Sequence, residues 1–145
     1  MKYLTGILLL FIASAIHAQK YALLDEHFAQ PISYSEKVTA ADKFNGLFPV
    51  EKKYLPEFLK ALKEINSQLS SKPPFGKVKD YEMGGIKFTG RLTTSSGSER
   101  IDYVVTSYYD NIRISMHLCD AKRSIANNAF YVKVWIKYIE ENTNR

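Results

Sequence analysis

The chain holds few residues able to perform nucleophilic or proton-transfer chemistry. It has three histidines, His17, His27 and His117, and one cysteine, Cys119. His117 and Cys119 lie two apart in the alternating stretch IRISMHLC, residues 112–119. Read as a strand, that spacing puts both side chains on one face, the outer and wetter one. Pairing with the preceding strand sets Asp102 opposite Cys119 and puts Arg113 on the same face. A Cys–His–Asp set of this kind is the arrangement a thiol enzyme or small hydrolase would use. Yet residues two apart on a strand are separated by about 6.5–7 Å, too far for a direct thiolate–imidazolium pair. An ordinary half-exposed sheet face explains the same residues better. His117, Cys119 and Asp102 are therefore the catalytic candidates of a reading that ranks second.

Metal and cofactor chemistry find no support. His-x-Cys by itself is not a zinc pattern, and Asp25-Glu26 is adjacent rather than spaced as a calcium loop. Gly84-Gly85 is too short to cradle a phosphate, and no P-loop, dinucleotide fingerprint or Ser-His-Asp motif occurs. No metal and no cofactor are expected. Asp80, Glu82 and Asp102 could point outward together as paired carboxylates, but Glu82 has a natural cross-strand partner in Lys87. Binding chemistry rests on aromatics. There are ten tyrosines and one tryptophan, residue types favoured at recognition surfaces. Tyr108 is turned outward by register beside Arg113, and these two are the candidate binding residues.

The positioning element is Lys53–Leu69. Leu55, Phe58, Leu59, Leu62, Ile65 and Leu69 recur at spacings of three and four, one stripe of an amphipathic helix. Pro56 belongs in its first turn, and Ser71, Pro73, Pro74 and Gly76 end it. From Val78 the period becomes two. A hairpin turning at Gly84-Gly85 pairs Met83 with Ile86, Tyr81 with Phe88 and Glu82 with Lys87. A second hairpin, turning at Asp110-Asn111, pairs Tyr109 with Ile112, Val105 with Met116 and Tyr103 with Leu118. Residues 93–98, TTSSGS, read as a flexible polar loop between the hairpins.

Upstream, two short apolar runs are broken by Pro31: Tyr21, Leu23 and Leu24 could begin a strand, and Ile32, Tyr34 and Val38 could make another. Thr39 and Asp42 read as the start of a short helix whose apolar side is Phe44, Leu47 and Phe48, with Gly46 and Pro49 ending it. Ala129–Asn142 admits two readings. As a helix it has an apolar arc of Phe130, Tyr131, Val134, Trp135, Tyr138 and Ile139, capped by Asn127 or Asn128. As a strand it would extend the sheet to five. The helix is preferred because it leaves no lysine beside Trp135. The expected fold is α+β: a two-layer sandwich of one main amphipathic helix on a four-stranded, alternatively five-stranded, antiparallel meander, with a C-terminal helix.

Residues 1–18 have the form of a secretory signal peptide, with Lys2 before an apolar core and Ala18 at the cleavage point. That core is shorter than the roughly twenty residues a spanning helix needs. Residues 19–145 then form one α+β domain that does not span a membrane, exported to a periplasm or the medium. Losing Lys2 takes the formal charge from +5 to +4. The remaining cations are scattered among acids, so nucleic acid is not an expected partner. The expected function is a small exported, non-catalytic binding or protein-interaction module for an unknown protein or small ligand. The alternatives are the hydrolase centred on His117 and Cys119 and an envelope assembly component.

Overall fold

The computed structural model describes residues 19–143; the signal-peptide expectation for residues 1–18 lies outside them. The expected meander is present. Strands β4 (Tyr81–Met83), β5 (Ile86–Ser95), β6 (Ser98–Tyr109) and β7 (Ile112–Cys119) pair in that order, all antiparallel. Both hairpin turns fall where the alternating pattern breaks, and Gly84 and Asp110 adopt the positive φ such turns demand, 58° and 50°. The first hairpin has the expected register throughout. Residues 93–98 are not a loop. β5 and β6 continue through them, and only Ser96-Gly97 turns, with φ 52° and 76°. The β-branched Thr93 and Thr94 extend the strand where polarity alone suggested a break.

The two short upstream strands are present, and a third, read above as a helical turn, joins them in a second sheet. It is formed by β1 (Tyr21–Asp25), β2 (Ser33–Ser35) and β3 (Leu47–Glu51) in the order β2-β1-β3. The short helix α1 (Ala40–Phe44) begins as expected, with Thr39 and Asp42 forming a reciprocal capping box. Leu47 and Phe48, assigned above to a helical turn, belong to β3 instead, while Phe44 is 92% exposed. Pro49 sits inside β3 opposite Leu23. The Lys52 N–H to Lys20 O and Glu26 N–H to Gly46 O bonds bracket this ladder and make Leu23–Pro49 a non-hydrogen-bonded pair. The missing proline N–H therefore points away from β1, on a sheet edge, where it costs nothing.

After a 3₁₀ turn at Lys52–Tyr54, helix α2 (Leu55–Ser70) carries Pro56 in its first turn. Leu55, Phe58, Leu62, Ile65 and Leu69 are buried as the stripe required. Ala61 completes that stripe on the side facing Tyr81 and Met83 of β4, and Leu59 is only half-buried. The C-terminal segment is helix α3 (Ile125–Thr143), so the five-stranded alternative falls away. Its buried stripe is Asn128, Val132, Trp135 and Ile139, and Phe130 is 61% exposed. The apolar arc is thus rotated toward Val132. Ser124, not Asn127 or Asn128, caps the helix: its Oγ accepts the Asn127 N–H at 3.1 Å. α2 and α3 pack on each other over the inner face of the meander. The two layers and the second sheet meet in one aromatic junction. Phe58 stands 4.9 Å from Phe88, 6.3 Å from Phe48 and 5.9 Å from Trp135.

The second hairpin departs from the expected register at one point. Tyr109–Ile112 and Val105–Met116 pair as read, but Tyr103 lies opposite Cys119 rather than Leu118. A bulge between Val104 and Tyr103 leaves Leu118 as the extra residue. Alternation is lost there, so Leu118 and Cys119 are both buried at 0% exposure. The gain is the burial of two successive apolar side chains just before the chain leaves the sheet.

Candidate functional site

The bulge separates the catalytic candidates. His117 projects outward and is exposed, while Cys119 turns into the core. Desolvation pushes the thiol up to about 12, with Arg123 opposing and Asp102 reinforcing the shift. A thiol so held is almost wholly protonated at neutral pH and is not a nucleophile. Asp102 is occupied elsewhere. One carboxylate oxygen lies 3.3 Å from Arg91 Nη2 and the other accepts the Ala121 N–H. Tyr108 and Arg113 stand directly opposite each other on the outer face, and Tyr108 is 60% exposed. Among the described residues no three His, Cys, Asp or Glu side chains converge on a point where a metal could sit.

The structure builds a cleft that the sequence did not announce. It lies beside β7, has a volume of about 270 Å³, and is lined by Glu26, His27, Phe28, His117, Arg123 and Tyr131 together with Met116. One wall is the turn that ends β1. There the Asp25 carboxylate accepts the His27 N–H at 2.7 Å, and the Asp25 carbonyl accepts the Phe28 N–H at 3.1 Å. Phe28 has φ 58°, a conformation costly for a bulky side chain. Stacking offsets that cost: its ring is 4.7 Å from Tyr131 and 5.4 Å from Trp135. Glu26 and His27 fold over Gly46, which has φ 70°. A β-carbon there would come within 2.8 Å of Glu26 Oε1 and 2.9 Å of His27 Nε2, ends of exposed side chains that can swing aside, so glycine is needed for the backbone conformation. Glu26 Oε1 and His27 Nε2 are 3.6 Å apart.

The other wall is the loop from β7 to α3. Asn128, 2% exposed, replaces backbone pairing for Asp120: its Oδ1 accepts the Asp120 N–H at 3.1 Å and its Nδ2 donates to the Asp120 carbonyl at 2.9 Å. That carbonyl also accepts the Arg123 N–H at 2.9 Å. Asp102 holds Ala121 from the sheet. Thus fixed, Arg123 lays its guanidinium 4.6 Å from the Tyr131 ring centre and donates Nη2–H to the His117 carbonyl at 3.1 Å. Asn128→Ala removes both side-chain bonds and strands the Asp120 N–H, while the Asp120 carbonyl keeps the Arg123 N–H. It should cost about 1–3 kcal/mol in urea unfolding, with faster amide exchange confined first to residues 120–124. Exchange in that loop unchanged from wild type would show that Asn128 does not hold it.

A second, smaller pocket of about 190 Å³ lies at the opposite end of the sheet, between the two hairpin turns. Tyr21, Tyr54, Tyr108 and Tyr109 wall it, with Glu51 and Asp110 among them. Tyr109 donates its hydroxyl to the Pro49 carbonyl at 2.7 Å, and burial pushes the phenol up to about 12. Glu51 is bracketed by Lys20 at 3.5 Å and Lys53 at 3.2 Å, whose ammonium groups sit 5.2 Å and 4.9 Å from the Tyr21 and Tyr54 ring centres. Tyr108 forms the exposed rim of this pocket.

Sequence reasoning placed Tyr108, Arg113 and His117 on the outer face and missed His27, Arg123 and Tyr131 as neighbours of His117. No local signal marks them, because their convergence spans the whole chain. No protein-family model matches the chain, and neither the curated proteins nor the solved structures searched contain a match.

Proposed function

We propose that this protein is a small exported, non-catalytic binding module whose partner docks on the wet sheet face at Tyr108 and Arg113. The observation that carries the reading is the exposure of Tyr108. Tyr103 and Tyr109, on the same strand, are buried or half-buried and hydrogen-bonded, whereas Tyr108 stands 60% exposed opposite Arg113 on the rim of a tyrosine-walled pocket. Tyrosine and arginine side by side are what interface hot spots are made of: a large ring with a polar tip, and a planar cation that stacks and hydrogen-bonds. The buried Cys119 thiol weighs against the hydrolase alternative. Export rests on the form of residues 1–18.

Tyr108→Ala and Arg113→Ala each remove surface groups with no hydrogen-bond or ion-pair partner among the described residues, so the melting temperature should stay within a degree or two of wild type. Affinity capture from the cell envelope and medium should fall about tenfold or more for each variant. Capture by the double variant at wild-type strength would remove the docking surface from this face.

A further inference from the structure

The cleft beside β7 has its own chemistry, independent of the Tyr108 rim. We propose that it binds a free α-amino acid with an apolar side chain. Its charges are split between two walls. Arg123 has no carboxylate within salt-bridge distance among the described residues, and one of its N–H groups is spent on the His117 carbonyl. The guanidinium lies over the Tyr131 ring and is tied to the His117 carbonyl, which limits the rotamer freedom it has to lose on binding a carboxylate. Glu26 stands on the other wall, where its one ion-pair neighbour among the described residues is His27, at 3.6 Å. An anion entering the cleft meets Glu26, and a cation meets Arg123. An uncharged ligand strips water from both without replacing it. A zwitterion answers both groups with charge-assisted hydrogen bonds, carboxylate to Arg123 and ammonium to Glu26.

The apolar part of the ligand has a place as well. The Phe28 and Tyr131 rings, 4.7 Å apart, and Met116 supply the apolar part of a lining that is otherwise polar. The cleft is open, and its volume, about 270 Å³, has room for a single residue. Both walls are braced before any ligand arrives. Gly46 and Asp25 set the Glu26–His27–Phe28 turn, and Asn128 and Asp102 set the Arg123 loop. Such bracing of charged groups from behind is what a binding site requires and what a solvated surface does not.

Calorimetric titration of the purified protein tests this with four probes: L-phenylalanine, L-leucine, 3-phenylpropionate, which lacks the ammonium, and phenethylamine, which lacks the carboxylate. The two amino acids should bind saturably at millimolar or lower concentration, and each single-charge analogue about tenfold more weakly than phenylalanine. Arg123→Ala should abolish binding. Arg123→Lys, which keeps the charge and the fold but loses the planar fork, should weaken it. Glu26→Gln should weaken phenylalanine about tenfold and leave 3-phenylpropionate unchanged or tighter. The proposal fails if neither amino acid binds, if 3-phenylpropionate binds as tightly as phenylalanine, or if Glu26→Gln changes nothing. Capture through Tyr108 and Arg113 is unaffected by any of these outcomes.

Discussion

Trp135→Ala should cost about 3–5 kcal/mol of stability, measured as the free energy of urea unfolding. Trp135 is 1% exposed and is the point where all parts of the fold meet. Its ring is 5.4 Å from Phe28, 6.3 Å from Phe48 and 5.9 Å from Phe58, residues on the β1 turn, on β3 and on α2. No neighbour can collapse into a hole of that size without breaking one of the other stacks. The indole N–H also donates to the Asp25 carbonyl at 3.0 Å. Trp135→Phe separates the two contributions. It keeps most of the packing and loses the hydrogen bond, so it should cost about 1–2 kcal/mol. The same variant should loosen the Asp25–Phe28 turn and weaken phenylalanine binding in the cleft. A loss below about 1 kcal/mol for Trp135→Ala would mean that the junction is not where this fold is held together.

Alkaline pH should unfold the protein, and Cys119 should be a leading cause. Its folded thiol is raised from an ordinary 9.0 to about 12. Burial likewise raises Tyr81 and Tyr109 from 10.0 to about 12, and Tyr103 further still. Each group releases its proton less readily when folded than when unfolded. Its contribution to stability is therefore complete below the unfolded value and is lost as pH climbs toward the folded one. The unfolding free energy should be flat up to about pH 9 and fall steadily from there to pH 12. For Cys119 alone the three-unit difference amounts to about 4 kcal/mol at most by pH 12. Cys119→Ala should lose a little stability at pH 7 and lack the first part of the decline, between pH 9 and 10. Thiol labelling gives a second readout: Cys119 should resist a thiol reagent in native protein and react at once in urea. Rapid labelling of the native chain would contradict its inward placement.

The parts of this molecule that could be read directly are those written in neighbouring residues. Met83–Ile86, Tyr81–Phe88, Tyr109–Ile112 and Val105–Met116 pair as alternation demands, because slipping any of them by one residue would turn a whole apolar row to water. The α2 stripe and the Thr39–Asp42 box are equally local. The misreadings have a common origin. Cys119 was assigned outward by counting twos from Ile112, and a single extra residue at Leu118 reversed it. Whether a strand bulges depends on where the next segment must go, here toward Asp120 and the Asn128 amide. The β2-β1-β3 pairing was hidden because its strands have only three to five residues and Pro49 makes β3 read as a helix end unless its edge position is known.

Periodicity and capping, then, determined that an apolar helix would lie on a meander with one wet face, that Tyr108, Arg113 and His117 would point to solvent, and that the chain would turn at Gly84-Gly85 and Asp110-Asn111. Tertiary packing decided which face Cys119 takes, how α3 is rotated, and that His27, Arg123 and His117 share one cleft. The reason is range. A repeat of two or 3.6 residues states which side of a segment avoids water, and that is settled within the segment. What stands across from that side depends on contacts between residues far apart in the chain, such as the Trp135 N–H and the Asp25 carbonyl, 110 positions apart, and these exist only once the chain has closed on itself.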